Sequence, residues 1–216
     1  MSDGGFGDRD AGAHVTTVAD ATELAAGPDE GTNGNEDQDD EDTRWPVEER
    51  EVVWENPYFA AGYDVVRRPD GGTNTYYWID PADVVAVVAV EDGQVVLVEE
   101  YDGRLRESLL TCPGGSVDNG ESFVDAGVRE LREETGFRAG HAELVTTYYP
   151  TAWARMEQAV VFATDLDPGP ADRDPGELID VYVAPVDVAL SGLGERSPSF
   201  GPGRWSLLAA RECGLI

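Results

Sequence analysis

The sequence predicts a mixed α/β domain, with helices packed on a mixed sheet. Three observations predict it. Val84 to Val90 is an unbroken run of Val and Ala, the composition of a strand buried on both faces. Glu91-Asp92-Gly93-Gln94 then turns the chain back onto Val95 to Glu99 as a tight hairpin, with glycine free to take a positive φ. The segment Glu121 to Thr135 carries Val124, Val128 and Leu131 at i, i+4 and i+7, one apolar stripe of a helix expected to face the core. Gly136 stands where such a helix stops.

The remaining elements follow in order. Glu51 to Trp54 and Phe59 to Arg67 read as strands, being rich in Val and aromatic residues. Pro69-Asp70-Gly71-Gly72 has turn chemistry, and Thr75 to Ile79 returns as a third strand. After the central hairpin a short strand ends near Cys112. Pro113 to Gly120 reads as a loop, with Asp118-Asn119-Gly120 a turn. Beyond the helix, strands are expected near Glu143 to Tyr149 and Ala159 to Asp165, then a polar loop at Pro168 to Pro175. A last strand is expected over Asp180 to Ala184, and a final helix over about Gly203 to Cys213 with Trp205, Leu208 and Ala209 on one side. No internal repeat of about 20 to 50 residues interrupts this order.

The chain of 216 residues suits one domain with a real core. Residues 1–44 stand apart, with 13 acidic residues, 2 Arg and almost no large apolar side chain. They are read as a disordered acidic tail, with a weak short helix around Val15 to Ala26, ahead of a domain at 45–216. The whole chain carries 44 acidic and 15 basic residues, a formal charge of −29, and every basic residue is Arg. Such a composition argues against a general nucleic-acid binder, which needs a basic face. It equally disfavours docking on anionic membranes. The longest wholly apolar run, Val84 to Val90, falls far short of the ~20 residues of a membrane helix. No basic-then-apolar signal opens the sequence. Cys112 and Cys213 are too few for a disulfide framework or a zinc cluster. A soluble, cytoplasmic protein is expected. The charge excess fits an ordinary acidic protein or one adapted to molar salt, where the Debye length falls to about 3 Å. The absence of Lys favours the second, and the composition resembles that of salt-in halophiles.

The chemistry concentrates on the helix. Glu130, Glu133 and Glu134 sit at i, i+3 and i+4 and share one face. Like charges at that spacing repel unless cations intervene, and several hard oxygen ligands on a rigid element suit Mg²⁺ or Mn²⁺. Glu121, expected one turn inside the helix start, can reach the same cations. Arg129 is placed to orient Glu133. Pro113-Gly114-Gly115 lets backbone carbonyls approach without a Cβ in the way. A solvated face of an acidic protein would hold similar residues, and the spacing decides between the two readings. Gly115, five residues, Glu121, seven residues, then Arg129-Glu130-Leu131-Arg132-Glu133-Glu134-Thr135-Gly136-Phe137 fits the Nudix box at every fixed position. A chance match at this composition is on the order of 10⁻⁶. The chain resembles a Nudix hydrolase.

The resemblance covers about residues 47–216 and implies a Nudix-type α/β/α sandwich around a mixed sheet, with extra N-terminal strands at about 47–80. It implies metal-dependent hydrolysis of a diphosphate linked to a nucleoside, with Mg²⁺ or Mn²⁺. By position Glu130, Glu133 and Glu134 would be metal ligands with a carbonyl of Gly115 or Gly114, Glu121 would assist, and Arg129 would orient Glu133. The final base would be Glu133, Glu134 or a Glu outside the box, for which Glu157 is the candidate. Asn56-Pro57-Tyr58-Phe59, Tyr149-Pro150 and Leu207-Leu208-Ala209-Ala210 resemble the branch that cleaves ADP-ribose and nucleoside-diphosphate sugars. That branch often forms homodimers through the extra strands, which leaves a homodimer open here. The chain departs from it at Thr111 before Cys112-Pro113, at Glu100-Tyr101-Asp102 and at Gly127. Arg104 or Arg106 would supply the Arg that Asp102 replaces. Trp153 would stack on a base or ribose, or pack a lid; Arg155 would contact phosphate, or form a surface ion pair. Cys112 lacks a basic neighbour to activate it. The expected reaction is ADP-ribose to AMP and ribose 5-phosphate. The competing readings are a house-cleaning nucleoside triphosphate pyrophosphohydrolase and a non-catalytic ADP-ribose sensor.

Overall fold

The computed structural model describes residues 45–173 and 178–216. The expected tail over 1–44, with its helix at Val15 to Ala26, lies outside the described residues, as does the end of the polar loop at 174–175. The elements run β1 (Val47–Glu55), β2 (Phe59–Arg67), β3 (Thr73–Pro81), β4 (Val84–Glu91), β5 (Gln94–Asp102), β6 (Glu107–Thr111) and β7 (Gly114–Ser116). Then come α1 (Phe123–Thr135), β8 (Arg138–Tyr148), β9 (Gln158–Asp167), β10 (Ile179–Pro185), α2 (Val186–Glu195) and α3 (Gly201–Glu212).

The strands form two sheets. β1, β2 and β3 make a three-stranded antiparallel sheet in that order. The other seven make a mixed sheet of order β10-β5-β4-β9-β8, with β6 on β5 and β7 on β4. β4 and β9 run parallel, and the remaining pairs are antiparallel.

β4 explains the layers. Val85, Val87 and Ala89 pack against Ala126 and Leu131 of α1. Ala86 and Val88 pack on the other side against Leu193 of α2 and Leu207 and Ala210 of α3. Alternate side chains of one strand therefore bury opposite faces of the sheet. Each fully buried Val contributes about 1.5–3 kcal/mol. The result is the expected α/β/α sandwich. The hairpin after β4 turns through Asp92 at φ 50° and Gly93 at φ 72°, as the sequence predicts. No helix among the described residues is long and apolar enough to cross a membrane.

Four expectations need correction. α1 begins at Phe123, because Ser122 is its N-cap and accepts from the Asp125 amide at 3.1 Å. Glu121 therefore stands ahead of the helix rather than one turn inside it. The buried face of α1 is Ala126, Gly127, Leu131 and Glu134, with Val124 and Val128 only half-buried. The helix lies so close to the sheet that small residues sit beneath it: a Cβ on Gly127 would stand 3.1 Å from Val87 Cγ2. The inward face of α3 is Gly203, Ser206, Leu207 and Ala210, whereas Trp205 is 60% exposed. A Cβ on Gly203 would come within 2.8 Å of Thr111 Cα, and this close approach sets the rotation of the helix. Finally, the expected loop at Pro113 to Gly120 contains β7, and the sequence reading contained no counterpart of α2.

Candidate active site

The box residues are positioned by β7 and α1 together. Gly114 and Gly115 pair with Ala86 and Val85 of β4, and the Pro113 carbonyl accepts from the Val87 amide at 2.7 Å. A Cβ on Gly115 would meet Glu130 Oε1 at 2.5 Å, so only glycine lets that carboxylate lie against the loop. The Gly114 amide donates to Glu134 Oε2 at 3.0 Å. Glu134 is buried, with 8% exposure.

One guanidinium gathers the other carboxylates. Arg129 donates from Nε to Glu121 Oε1 at 3.0 Å and from Nη2 to Glu121 Oε2 at 2.9 Å. Its Nη1 reaches Glu130 Oε1 at 2.7 Å and Glu133 Oε2 at 3.3 Å. Its Nη2 also donates to the Ser116 carbonyl at 2.9 Å. Arg132 donates to the far oxygen of Glu133 at 2.9 Å. The expected contact from Arg129 to Glu133 is present, but the bidentate partner is Glu121. Hydrogen bonding to Glu121 holds the Arg129 pKa far above its ordinary value, and the same pair holds the Glu121 carboxyl below its own. Among the described residues no three His, Cys, Asp or Glu side chains close on one point as a metal cage. Arg129 stands among three of the carboxylates. The donor set nonetheless suits a hard divalent cation: carboxylate oxygens on one rigid helix, with a glycine backbone beside them.

The helix end is anchored from a distance. The Asp172 amide donates to the Glu133 carbonyl at 3.0 Å. Arg173 donates from Nε to the Glu134 carbonyl at 2.7 Å and from Nη1 to the Ile179 carbonyl at 2.8 Å. These bonds satisfy carbonyls that the last helical turn leaves open, with a cation at the negative end of the dipole. Sequence reasoning missed Arg173, and nothing periodic marks it.

A second group flanks the start of β9. Val85 is level with Gly115 on one side and Ala159 on the other, so Glu157 lies toward the same end of the sheet. The Glu157 amide donates to Asp83 Oδ1 at 2.7 Å, and its carbonyl accepts from the Val84 amide at 3.0 Å. A cavity of about 290 Å³ opens here, lined by Asp83, Tyr149, Arg155, Met156 and Glu157. Asp83 was not foreseen. Trp153 is 57% exposed beside this cavity's segment, with its carbonyl on the Ile79 amide at 2.9 Å. Arg155 turns to Asp64 of β2 at 2.5 Å. Arg104 joins neither group: it sits in the β5–β6 turn, paired with Asp102, its side chain 91% exposed. Cys112 is buried, and burial pushes its thiol up to about 12, which removes it as a nucleophile.

The family model described as NUDIX domain matches residues 80–202. The chain belongs to the Nudix family. It is 33% identical over 122 residues to a methanol dehydrogenase activator of Bacillus methanolicus, a match covering 56% of this chain and 55% of that protein. It is 32% identical over 136 residues to an ADP-ribose pyrophosphatase of Mycobacterium tuberculosis, covering 62% of this chain and 56% of the relative. The Nudix chain thus spans little more than half the length of these relatives. A solved structure, the crystal structure of an ADP compounds hydrolase, superposes with a TM-score of 0.71 at 22% identity, covering 80% of this chain and 97% of the other. That likeness establishes the shared fold.

Proposed function

We propose that this Nudix protein hydrolyses the diphosphate of a nucleoside diphosphate joined to a second moiety, with ADP-ribose as the first substrate to test. Water would attack the phosphoanhydride, releasing AMP and ribose 5-phosphate. The observation that carries the reading is the excess of carboxylates around Arg129 beside a glycine that only a close approach explains. Glu130, Glu133 and Glu134, with the carbonyl of Gly115, would hold Mg²⁺ or Mn²⁺. Bound there, such a cation neutralises diphosphate charge and lowers the pKa of a water. Arg129 fixes Glu121, Glu130 and Glu133 relative to one another. Glu157, held through its backbone by Asp83 and Val84, is the candidate to take the proton from the attacking water. Trp153 offers an exposed ring for a base or ribose. The similarity to an ADP-ribose pyrophosphatase and the extra N-terminal sheet support the choice of substrate.

Two features of the setting belong to the same reading. Val52, Val53 and Trp54 of β1 and Tyr77 of β3 are exposed, which supports a homodimer through the N-terminal sheet. Sedimentation as a monomer at micromolar concentration would remove that element. The charge of −29 without Lys supports a protein adapted to high salt.

The deciding experiment is a hydrolysis panel in molar potassium chloride with Mg²⁺ and then Mn²⁺. It compares ADP-ribose, sugar nucleotides, dinucleoside polyphosphates and nucleoside triphosphates, with products separated by chromatography. AMP and ribose 5-phosphate from ADP-ribose are expected. Pyrophosphate from a triphosphate would replace this reading with a house-cleaning one. ADP-ribose binding without turnover of any compound would replace it with a sensor.

A further inference from the structure

We propose that Asp64, in the N-terminal sheet, is a positioning residue for the segment 153–157 beside the candidate site. Through Arg155 it sets where Trp153 and Glu157 stand. The proposal rests on the site reading given above and deepens it.

Asp64 is 4% exposed on β2. Its carboxylate accepts from Arg50 Nε at 3.0 Å and Nη2 at 3.1 Å, from Trp78 Nε1 at 2.9 Å and from Arg155 Nη2 at 2.5 Å. The Arg155 guanidinium also lies 4.1 Å from the centre of a Trp78 ring. Arg50 alone would neutralise the carboxylate, and it does so within the sheet, from β1 to β2. A second cation is not needed for that. Arg155 comes from 91 positions further along the chain, and what it adds is a tether.

The rest of the segment is stitched down at its backbone. The Trp153 carbonyl and the Arg155 amide pair with Ile79 of β3 at 2.9 and 2.8 Å. The Glu157 amide and carbonyl pair with Asp83 and Val84. Between these fixed points the Arg155 side chain adds an anchor to a different strand, β2. Two consequences follow. Arg155 gives its Nη2 to Asp64, which fixes the direction of the guanidinium at the edge of the cavity. The N-terminal sheet, which contributes none of the box carboxylates, holds the flank of the site through backbone bonds from Ile79 and through the Asp64–Arg155 ion pair.

The test uses the full chain in four single variants: Asp64→Asn, Arg155→Met, Arg155→Lys and Arg50→Met. The first readout is amide hydrogen exchange of residues 149–157 without metal or nucleotide. Exchange there should rise by at least about tenfold in Asp64→Asn and Arg155→Met and stay near wild type in Arg50→Met. The second readout is turnover of ADP-ribose with Mg²⁺. KM should rise by about fivefold or more in the first two variants, because a mispositioned segment weakens nucleotide contacts. A mere loss of folded protein would lower kcat and leave KM alone. Arg155→Lys should recover part of the KM, since it restores the charge without the fork. Should Asp64→Asn fail to fold, Arg155→Met carries the test, because it leaves Asp64 paired with Arg50. Unchanged exchange in 149–157, or equal effects from Arg50→Met and Arg155→Met, would overturn the proposal. If the wild type hydrolyses no nucleotide, the proposed function falls, and the exchange comparison still decides the tether.

Discussion

Two charge clusters in this chain are built in opposite ways. Around Arg129 one cation meets three carboxylates, those of Glu121, Glu130 and Glu133. Around Asp64 one carboxylate meets two cations, Arg50 and Arg155, and an indole N–H. The second cluster is complete as it stands. The first keeps a negative excess: carboxylates at helical spacing repel, and Arg129 and Arg132 together face the carboxylates of Glu121, Glu130, Glu133 and Glu134. Such an excess on a rigid helix is what the proposed cation site would use. The contrast separates the proposed binding site from a structural clamp, although both look like Arg–carboxylate pairing.

The largest effect that tests this contrast is Glu130→Gln. Its carboxylate lies between Gly115 and Arg129. Loss of this proposed metal ligand should cost more than about 100-fold in kcat/KM, beyond the range for an outer partner. The melting temperature of the metal-free protein should stay level or rise, because the substitution removes one of the repelling charges. A large loss of metal-free stability would mean that this cluster is a clamp as well.

Next in size is the response to cations. A ligand present at 100 times its Kd stabilises the folded state by about 2.7 kcal/mol. For a domain of this size that is a rise of about 5–11 °C in melting temperature, at 2–4 °C per kcal/mol. Millimolar Mg²⁺ should produce such a rise in the wild type and little in Glu130→Gln. Molar potassium chloride screens the whole acidic surface and should raise both proteins alike. A melting temperature indifferent to potassium chloride would refute the proposed adaptation to salt.

Asp64→Asn should act the other way, on stability and its pH dependence. Hydrogen bonding from Arg50, then from Trp78 and Arg155, holds the Asp64 carboxyl at about 2 instead of its ordinary 3.8. A carboxyl with a lowered folded-state pKa stabilises the protein above its unfolded value and loses that contribution as pH falls from about 4 toward 2. Because the paired guanidinia are partly exposed, about 1 kcal/mol is expected, discounted for solvent screening. The melting temperatures of wild type and Asp64→Asn should therefore differ by about 2–4 °C at pH 6 and converge near pH 2. A gap that persists at pH 2 would show that the charge is not what Asp64 contributes.

The two clusters also differ in how far the sequence reveals them. The box is local: Gly115 to Phe137 lies in one stretch, so its spacing carries the information. β4 was equally legible, since burial on both faces leaves a run of Val and Ala. The ion pair from Asp64 to Arg155 spans 91 positions and the bond from Arg173 to Glu134 spans 39. Polar contacts of that range leave no period and no local composition. The inward faces of α1 and α3 were read only in part for a related reason: Leu131 is fully buried and Val124 packs on the core as expected, but their small neighbours carry no such mark. Large apolar residues mark a buried stripe when a helix stands off from its sheet, but these helices lie close. Ala126, Gly127, Gly203 and Ala210 are buried because they are small.

Gly127→Ala tests that last point and carries the smallest effect. In an open helix the substitution would stabilise by about 1 kcal/mol, because glycine is the poorer helix former. Here the new Cβ would stand 3.1 Å from Val87 Cγ2 and 3.3 Å from Val161 Cβ. Both valines are fully buried in neighbouring central strands and have no room to retreat. Overpacking of this kind costs about 1–3 kcal/mol. Contacts of 3.1 and 3.3 Å need only a small shift, the low end of that range at about 1–2 kcal/mol, so the net cost is about 0–1 kcal/mol and the melting temperature should fall by no more than about 4 °C. Because α1 would have to lift from the sheet to relieve the contact, the carboxylates it carries would shift against Gly115. The stabilisation by Mg²⁺ should therefore weaken more than the fold does. A gain in melting temperature with undiminished Mg²⁺ stabilisation would show that α1 is free to ride on the sheet, and that its close seat is not what aligns the site.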